Sequence, residues 1–228
     1  LVHGDFNKDG YEDIIVLEKS NSQIRHLQFD FASGSFLSQP SLTSNTQPAY
    51  AKANDLDQDG DLDLVVSFVG SDPDIISLYK NDGTGSFTGP STLWTSDYSS
   101  SGQELVHFAI GDMDGDSHND LILSRRLDSD GEGRVSLLLN DGTGSATFKS
   151  TPNVDFQTDL GILKPSFVEL ADIDNTGSLD ILVAGEDAIT LLYNNGMGTN
   201  DKLSVTSKNI GQFDGDGFQV KAYDFTSD

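Results

Sequence analysis

Four copies of one acidic motif divide the chain into tandem repeats, and this periodicity limits the possible folds more than any other feature. The copies begin at Asp5, Asp55, Asp112 and Asp172, and the start of a fifth follows at Asp224. Each complete copy runs directly into a short apolar stretch. Repeats of this kind indicate an architecture in which each copy is one supersecondary unit and neighbouring units share a hydrophobic core.

A glycine-rich motif follows each acidic motif. It reads YKNDGTGSF at 79–87 and LLNDGTGSATF at 138–148, and in weaker form LYNNGMGTN at 192–200 and QFDFASGSF at 28–36. Asn-Asp-Gly between apolar flanks indicates a tight turn, and no segment keeps a helical apolar period. Each repeat therefore predicts one strand before the acidic loop, two after it, and a short fourth strand beyond the glycine-rich hairpin.

Tandem four-stranded units of about 50–60 residues predict an all-β fold, namely a β-propeller of antiparallel blades. Four blades are visible in a single propeller region that spans residues 1–228. The predicted repeats cover about 1–46, 47–104, 105–163 and 164–216, with the start of a fifth at 217–228.

Composition excludes several classes of partner. The formal charge is −24, from 37 acidic and 13 basic residues, so nucleic acid and anionic membrane surfaces would be repelled. No apolar run approaches the roughly 18 residues of a membrane span, which argues against direct membrane insertion. The chain has no cysteine, so it has neither disulfides nor thiolate metal ligands.

The acidic loop has the residues of a cation site. Counted from its first Asp, positions 1, 3, 5 and 9 carry oxygen side chains, and position 6 is glycine in three copies. Carboxylates that converge on one point repel each other strongly unless a cation lies between them. An all-oxygen donor set on an irregular loop suits Ca²⁺ better than Mg²⁺, and Zn²⁺ would prefer His or Cys. An EF-hand is excluded because position 12 is Val or Leu and a strand follows.

The paired motifs, Asp-x-Asp-x-Asp-Gly-x-x-Asp and Asn-Asp-Gly-x-Gly-x-Phe, resemble the FG-GAP/VCBS repeat across essentially the whole chain. That repeat builds the propeller of integrin alpha subunits and of many bacterial and fungal surface proteins and lectins. The resemblance implies an extracellular or cell-surface protein and a structural role for calcium. Since integrin-type propellers close with seven blades, it also implies that these four belong to a larger ring completed by other parts of a longer chain.

The resemblance implies calcium ligation by the side chains at positions 1, 3, 5 and 9 and by the backbone carbonyl at position 7, in up to four sites. We expect the side chain of Asp61, at position 7, to point into solvent. The implied ligands are Asp5, Asn7, Asp9, Tyr11 and Asp13; Asp55, Asp57, Asp59, Asp61 and Asp63; Asp112, Asp114, Asp116, His118 and Asp120; and Asp172, Asp174, Thr176, Ser178 and Asp180.

The four copies differ in ligand charge, which predicts a ranking of affinities. The second copy combines four carboxylates with glycine at position 6, so we expect it to bind most tightly. The first copy has Asn7 at position 3, and the third has Ser117 in place of the glycine. The fourth has Thr176, a neutral and weaker donor, at position 5, and we expect it to bind most weakly.

Ligand binding is expected on the face opposite the acidic loops, where the copies differ, since binding residues concentrate on variable loops. The resemblance places integrin ligands on that face too. The loops concerned are 89–103, 125–134 and 150–165. Trp94 with Tyr98 would suit stacking on a sugar, although packing between blades is the better explanation. Arg125, Arg126 and Arg134 would suit an anion, although solvated loop charges are the better explanation.

No catalytic motif is present, and a carboxylate pair that recurs in every repeat is unlike a catalytic pair. His3, His26, His107 and His118 show no metal or catalytic spacing, and the stretch 214–217 is interpreted as a polar turn.

The leading interpretation is a non-enzymatic module that binds a protein or glycan. The alternatives are a structural spacer of a large surface or filament protein, and the non-catalytic propeller of a polysaccharide-degrading enzyme. In a further alternative, strand 217–223 would close a four-bladed ring.

Overall fold

The computed structural model describes residues 1–44, 46–68, 73–96, 103–127, 133–144, 146–148, 154–156, 165–185, 188–197 and 203–212. Within these ranges the regular structure is β-strand, apart from one 3-10 turn at Lys19–Asn21, so the predicted all-β class is confirmed. No helix among the described residues has the length and apolar character of a membrane span. The strands are β1 (Val2–Gly4), β2 (Asp13–Glu18), β3 (Gln23–Asp30), β4 (Ser35–Ser38), β5 (Leu42–Thr43), β6 (Pro48–Asn54), β7 (Asp63–Phe68), β8 (Ile75–Asn81), β9 (Phe87–Thr95), β10 (Gln103–Gly111), β11 (Asp120–Leu127), β12 (Gly133–Leu138), β13 (Val154–Phe156), β14 (Phe167–Ala171), β15 (Asp180–Ala184), β16 (Ala188–Met197) and β17 (Leu203–Gln212).

The strands form four antiparallel sheets, one for each repeat. The sheets have the orders β1-β2-β3-β4, β6-β7-β8-β9, β10-β11-β12-β13 and β14-β15-β16-β17, and the short strand β5 pairs with β3. Every sheet is a meander in which consecutive strands are neighbours. The prediction of four strands is therefore confirmed in three repeats, and the first sheet has a fifth strand of two residues.

The chain divides into two compact units, of which the first comprises 1–99 with 143–147 and the second comprises 100–142 with 148–228. Each unit has a core to which both of its sheets contribute, and the second strand of a sheet lies at the centre. Strands β7 and β15 are buried along their whole length, which explains why their sequences are nearly continuous apolar runs. The first core contains Val2, Phe6, Ile15, Ile24, Ala51, Leu64, Val66, Phe68 and Tyr79, and the second contains Ala109, Met113, Ile122, Val135, Leu137, Leu139, Val168, Ile181, Val183, Ala188 and Leu192.

Each acidic loop joins the first strand of its sheet to the second. The last loop residue, position 9, is also the first residue of the second strand and is at most 1% exposed. It pairs across the sheet with the last residue of the first strand, as Asn54 pairs with Asp63 and Gly111 with Asp120. The loops are therefore clamped at both ends by the sheet.

Two of the candidate ligand-face residues, Trp94 and Arg125, are buried in the structure. Trp94 lies in strand β9 and is only 3% exposed, so it packs in the interior and offers no face to a sugar. Tyr98 lies outside the described residues. The interpretation of Trp94 as a packing residue therefore agrees with the structure.

The predicted basic loop at 125–134 is shorter than expected, because β11 continues to Leu127 and β12 begins at Gly133. Arg125 and Arg134 lie directly opposite each other across these strands. Arg125 is 3% exposed and donates a 2.5 Å hydrogen bond from Nη2 to Ser136 Oγ. Arg125 is thus neither a solvated loop charge nor part of a surface anion site. Most of the loop at 150–165 lies outside the described residues. The turn at 214–217, the strand at 217–223 and the repeat start at 217–228 lie entirely outside them.

Candidate metal centre

Carboxylate oxygens from positions 1, 3 and 9 converge in three of the four acidic loops. In each of these loops, one oxygen from each of the three side chains lies within 4.8 Å of the other two. Spacing in the sequence alone does not bring positions 1 and 9 together; the curl of the loop does. The clusters are Asp55, Asp57 and Asp63; Asp112, Asp114 and Asp120; and Asp172, Asp174 and Asp180.

The curl depends on a left-handed backbone at position 6. Gly10, Gly60 and Gly177 have φ of +88°, +91° and +89°, and Ser117 takes the same conformation with φ of +72°. The N–H of position 6 then donates to the position 1 carboxylate, as from Gly60 to Asp55 at 3.0 Å. The same bond recurs in the other three loops at 2.8–2.9 Å. The backbone geometry therefore favours glycine at position 6, although Ser117 also adopts it.

Position 5 belongs to the loop turn and is not part of the three clusters. Asp59 and Asp116 accept the N–H of position 7 at 3.0 and 2.8 Å. Asp9 does the same in the first loop, where it also accepts a 2.8 Å bond from the Asn7 amide. In the fourth loop the Thr176 hydroxyl donates to Asp174 at 2.8 Å. Of the predicted side-chain ligands, the structure brings positions 1, 3 and 9 together more closely than position 5.

Position 9 ties the loop to the glycine-rich hairpin. Asp120 accepts the N–H of Asn140 at 2.9 Å with one oxygen and that of Met113 at 2.8 Å with the other. Asp180 makes the equivalent bonds to Asn194 and Ile173, at 2.8 and 2.9 Å. The position 9 carboxylate therefore orders the loop through these hydrogen bonds, without a bound cation.

Burial makes the Asp63 and Asp120 carboxylates hard to ionise. It raises the pKa of Asp63 to about 6 and that of Asp120 to about 7, although backbone N–H donors oppose the shift. The neighbouring carboxylates at positions 3 and 5 raise both pKa values further. Desolvation together with like charges is the arrangement that a bound cation would relieve.

The residues present fit a hard divalent cation that takes oxygen ligands. Three side-chain oxygens already converge in each cluster, and no histidine or cysteine belongs to any of the three. Among the described residues, Asp55 Oδ1 is buried and accepts no hydrogen bond, which is unusual for a carboxylate oxygen. Calcium ligation by these loops nevertheless remains a prediction.

The second loop differs from the others because two lysines contact it. The Lys80 ammonium contacts Asp57, and the Lys8 ammonium contacts Asp61. The expectation that Asp61 points into solvent is therefore wrong: its side chain is 13% exposed and faces a cation from the first loop. A lysine at position 4 of one loop can reach the next loop because both sheets belong to the same compact unit.

Comparison with known families decides what kind of repeat this is. The FG-GAP-like repeat matches residues 5–66 and 112–183, more than half of the chain. This chain belongs to the FG-GAP-like repeat family. The matched ranges contain all four acidic loops and the glycine-rich motifs of the first and third repeats.

Sequence comparison with curated proteins gives no match. Among solved structures, this FG-GAP chain is similar to a lectin from Agrocybe aegerita, described as specifically recognising non-reducing terminal N-acetylglucosamine. The two chains are 20% identical with a TM-score of 0.58. The similarity covers 91% of this chain and 50% of the lectin chain, so the FG-GAP chain spans about half the length of that neighbour. At this identity the likeness concerns the fold.

The asparagine that recurs in the glycine-rich hairpins has a role that the sequence did not predict. Asn81 is the last residue of β8 and is buried, so it lies before the turn. Its side-chain amide donates to the Phe6 carbonyl at 2.7 Å and to the Leu62 carbonyl at 3.1 Å. Asn194 makes the equivalent bonds to Met113 and Leu179 at 2.9 and 3.1 Å.

The turn itself is formed by the residues that follow this asparagine. Asp82 Oδ1 accepts the N–H of Thr84 at 2.9 Å, and Gly83 has a φ of +77°. The prediction of a tight turn is thus correct for Asp-Gly, and Asn81 contributes to the turn through its Oδ1, which accepts the N–H of Gly85 at 3.2 Å. Its recurrence before Asp-Gly or Asn-Gly in three repeats was the available signal, but its partners lie up to 81 residues away.

A cavity of about 290 Å³ lies in the first FG-GAP unit. It is bounded by the segment between β4 and β5 on one side and by the start of β9 on the other. Its wall combines the buried rings of His26 and Tyr79 and the half-buried ring of Phe87 with the polar groups of Gln39 and Ser41. A mixed apolar and polar concavity is typical of a small-ligand site, and this one is at the small end of the usual range.

Proposed function

We propose that the acidic loops bind up to four Ca²⁺ ions and that the metal is structural. The observation that carries this proposal is the convergence of three carboxylate oxygens within 4.8 Å in three loops. When bound, Ca²⁺ would supply the positive charge that offsets carboxylate repulsion at the entry to the second strand of each sheet. The chain's own contribution is to hold the loop curled, through position 6, and to anchor it to the hairpin, through position 9.

We also propose that the four sheets are blades of a larger β-propeller. The apolar residue at position 2 supports this, because Phe6, Leu56 and Met113 are 0%, 1% and 2% exposed. Ile173, at the same position in the fourth repeat, is 42% exposed. A further blade would cover it as the second sheet covers Phe6. The similarity over half of a longer chain agrees with this proposal.

For the ligand, we propose a glycan, with one sugar residue bound in the cavity of the first unit. The cavity has aromatic walls for the apolar face of a sugar and amide, hydroxyl and backbone groups for its hydroxyls. The fold-level likeness to a glycan-binding lectin agrees with this proposal. This position lies beside the glycine-rich hairpin, at the acidic-loop end of the sheets, whereas the sequence favoured the opposite face. Most of the loops on that opposite face are outside the described residues, so the cavity is the better supported position.

The module is proposed to be non-enzymatic and extracellular. Millimolar Ca²⁺ outside cells would keep loops of ordinary extracellular affinity occupied. A structural spacer is the main alternative, and a non-catalytic propeller of a polysaccharide-degrading enzyme would bind glycans by the same cavity. A protein ligand would use a wider surface than this cavity provides.

The test is a glycan array in Ca²⁺, followed by calorimetric titration with the best glycan and with N-acetylglucosamine. Ser41→Trp should fill the cavity and abolish binding. Ser91→Trp, on the exposed part of β9, is the matched control and should bind normally. Absence of glycan binding by the folded, Ca²⁺-loaded protein would favour the spacer. Equal loss or equal retention of binding in both variants would place the glycan elsewhere.

A further inference from the structure

The second acidic loop is the most acidic of the four and the one that two ammonium groups contact. Lys80, from the end of β8, contacts Asp57, whose side chain is 3% exposed. Lys8, from the first loop, contacts Asp61. Asp57 is one of the three residues whose oxygens form the second cluster. Lys80 therefore reaches into the place where a metal ion would be held.

The equivalent positions in the other repeats are identified by a shared hydrogen bond. The residue that follows Lys80 donates its N–H to the position 9 carboxylate, and the same bond is made in every repeat. The residues equivalent to Lys80 are thus Gln28, Leu139 and Tyr193. The residues equivalent to Lys8, at position 4, are Gln58, Gly115 and Asn175. Neither lysine has a basic counterpart in another repeat.

We propose that Lys80 is a built-in competitor for the cation in the second loop. Its ammonium neutralises Asp57 when no metal is bound, so this loop is less strained by charge repulsion than the third loop. Ca²⁺ must displace the ammonium from Asp57 in order to use that oxygen. The second loop then binds Ca²⁺ more weakly than the third, which reverses the order expected from four carboxylates combined with glycine at position 6.

This inference rests on the proposed calcium binding. The size of the effect depends on how strongly the Lys80 charge repels a bound Ca²⁺. A lysine that is partly exposed can turn towards solvent, so the competition lowers affinity without preventing binding. One unit charge about 6 Å from a divalent ion, at roughly the dielectric of water, should change the affinity by roughly tenfold. Lys8 contacts position 7 and should have a smaller effect, because its partner there is not among the three clustered carboxylates.

The experiment follows each loop separately by amide NMR during a Ca²⁺ titration of the full chain. The Gly60 amide donates to Asp55 and reports on the second loop, and the Ser117 amide donates to Asp112 and reports on the third. In the wild type, Ser117 should saturate at lower Ca²⁺ than Gly60. Lys80→Met should shift the Gly60 midpoint about tenfold lower and leave that of Ser117 unchanged.

Two control variants and one metal-free measurement accompany the titration. Lys80→Arg keeps the charge and should keep the wild-type order, while Lys19→Met, in the exposed 3-10 turn, should change neither midpoint. In chelator, Lys80→Met should melt at a lower temperature than Lys19→Met. An unshifted Gly60 midpoint in Lys80→Met, or a wild-type Gly60 that saturates first, would overturn the competition. If no loop amide responded to Ca²⁺ in any variant, the proposed calcium function would itself be wrong, and the inference would fall with it.

Discussion

The Asn81 side-chain amide donates a 2.7 Å hydrogen bond to the backbone carbonyl of Phe6, a residue 75 positions earlier in the chain. It thereby joins the hairpin of the second sheet to the acidic loop of the first. The Phe6 ring is fully buried and packs edge-on against Phe87, with ring centroids 5.5 Å apart. One amide and one aromatic pair thus hold the two sheets of the first unit together beside the loops.

Asn81→Ala should destabilise the protein by about 2–4 kcal/mol, because it leaves the Phe6 and Leu62 carbonyls without their amide donor in a buried setting. Chemical denaturation of the Ca²⁺-loaded protein measures the change. Asn21→Ala is the control, since Asn21 is exposed in the 3-10 turn, and it should change the free energy of unfolding by less than about 0.5 kcal/mol. Equal effects of the two substitutions would contradict the tie between sheets.

Ser117→Gly should stabilise the third loop by about 1 kcal/mol, because serine holds a left-handed conformation there that glycine adopts freely. The reverse change, Gly60→Ala, should destabilise the second loop by about the same amount. Space does not explain the latter, since a Cβ at Gly60 would meet no atom closer than 3.9 Å. Thermal melting in Ca²⁺ and in chelator checks both variants. A neutral Gly60→Ala would show that the backbone at position 6 is not a constraint.

Without metal, the protein should lose stability as the pH rises from about 4 to 7. Asp63 and Asp120 have folded-state pKa values raised to about 6 and about 7, above the ordinary 3.8. The folded state therefore holds protons that the unfolded state has released, so the stabilisation is complete below about pH 4 and is lost through pH 6–7. Melting temperatures of chelator-treated, desalted protein across this range measure the slope. Asp120→Asn should reduce the slope, and an unchanged slope in that variant would contradict the assignment.

The repeat made the sheets predictable because it encodes local structure. Asp55 and Gly60 belong to one short loop, and the alternation of Asp with a glycine at position 6 defines its curl without information from elsewhere. The four strands of each repeat follow from the same local pattern. Burial of Asp63 at the start of β7 was harder to predict. A carboxylate beside an apolar strand was interpreted as a metal ligand, and its role in anchoring the loop was not recognised.

What the sequence did not reveal are the partners across long separations. Asn81 was interpreted as a turn residue, and its Oδ1 does accept the Gly85 N–H, but its amide also donates to the Phe6 carbonyl in the loop of another sheet. Asp61 was expected in solvent because nothing near it in sequence is basic, yet Lys8 comes from the preceding loop. Arg125 was assigned to a loop because the apolar run before it ends two residues earlier, whereas pairing with β12 extends the strand.

Thermal unfolding in Ca²⁺ and in chelator tests the central claim most directly. With free Ca²⁺ near 1 mM and a dissociation constant of about 0.1 mM, each loop should add about 1.4 kcal/mol, and four loops about 6 kcal/mol. For a chain of this size, that corresponds to a rise in melting temperature of roughly 10 °C or more. Mg²⁺ at the same concentration should produce little of it, because the loop geometry is irregular. A melting temperature that is the same in Ca²⁺ and in chelator would contradict the account.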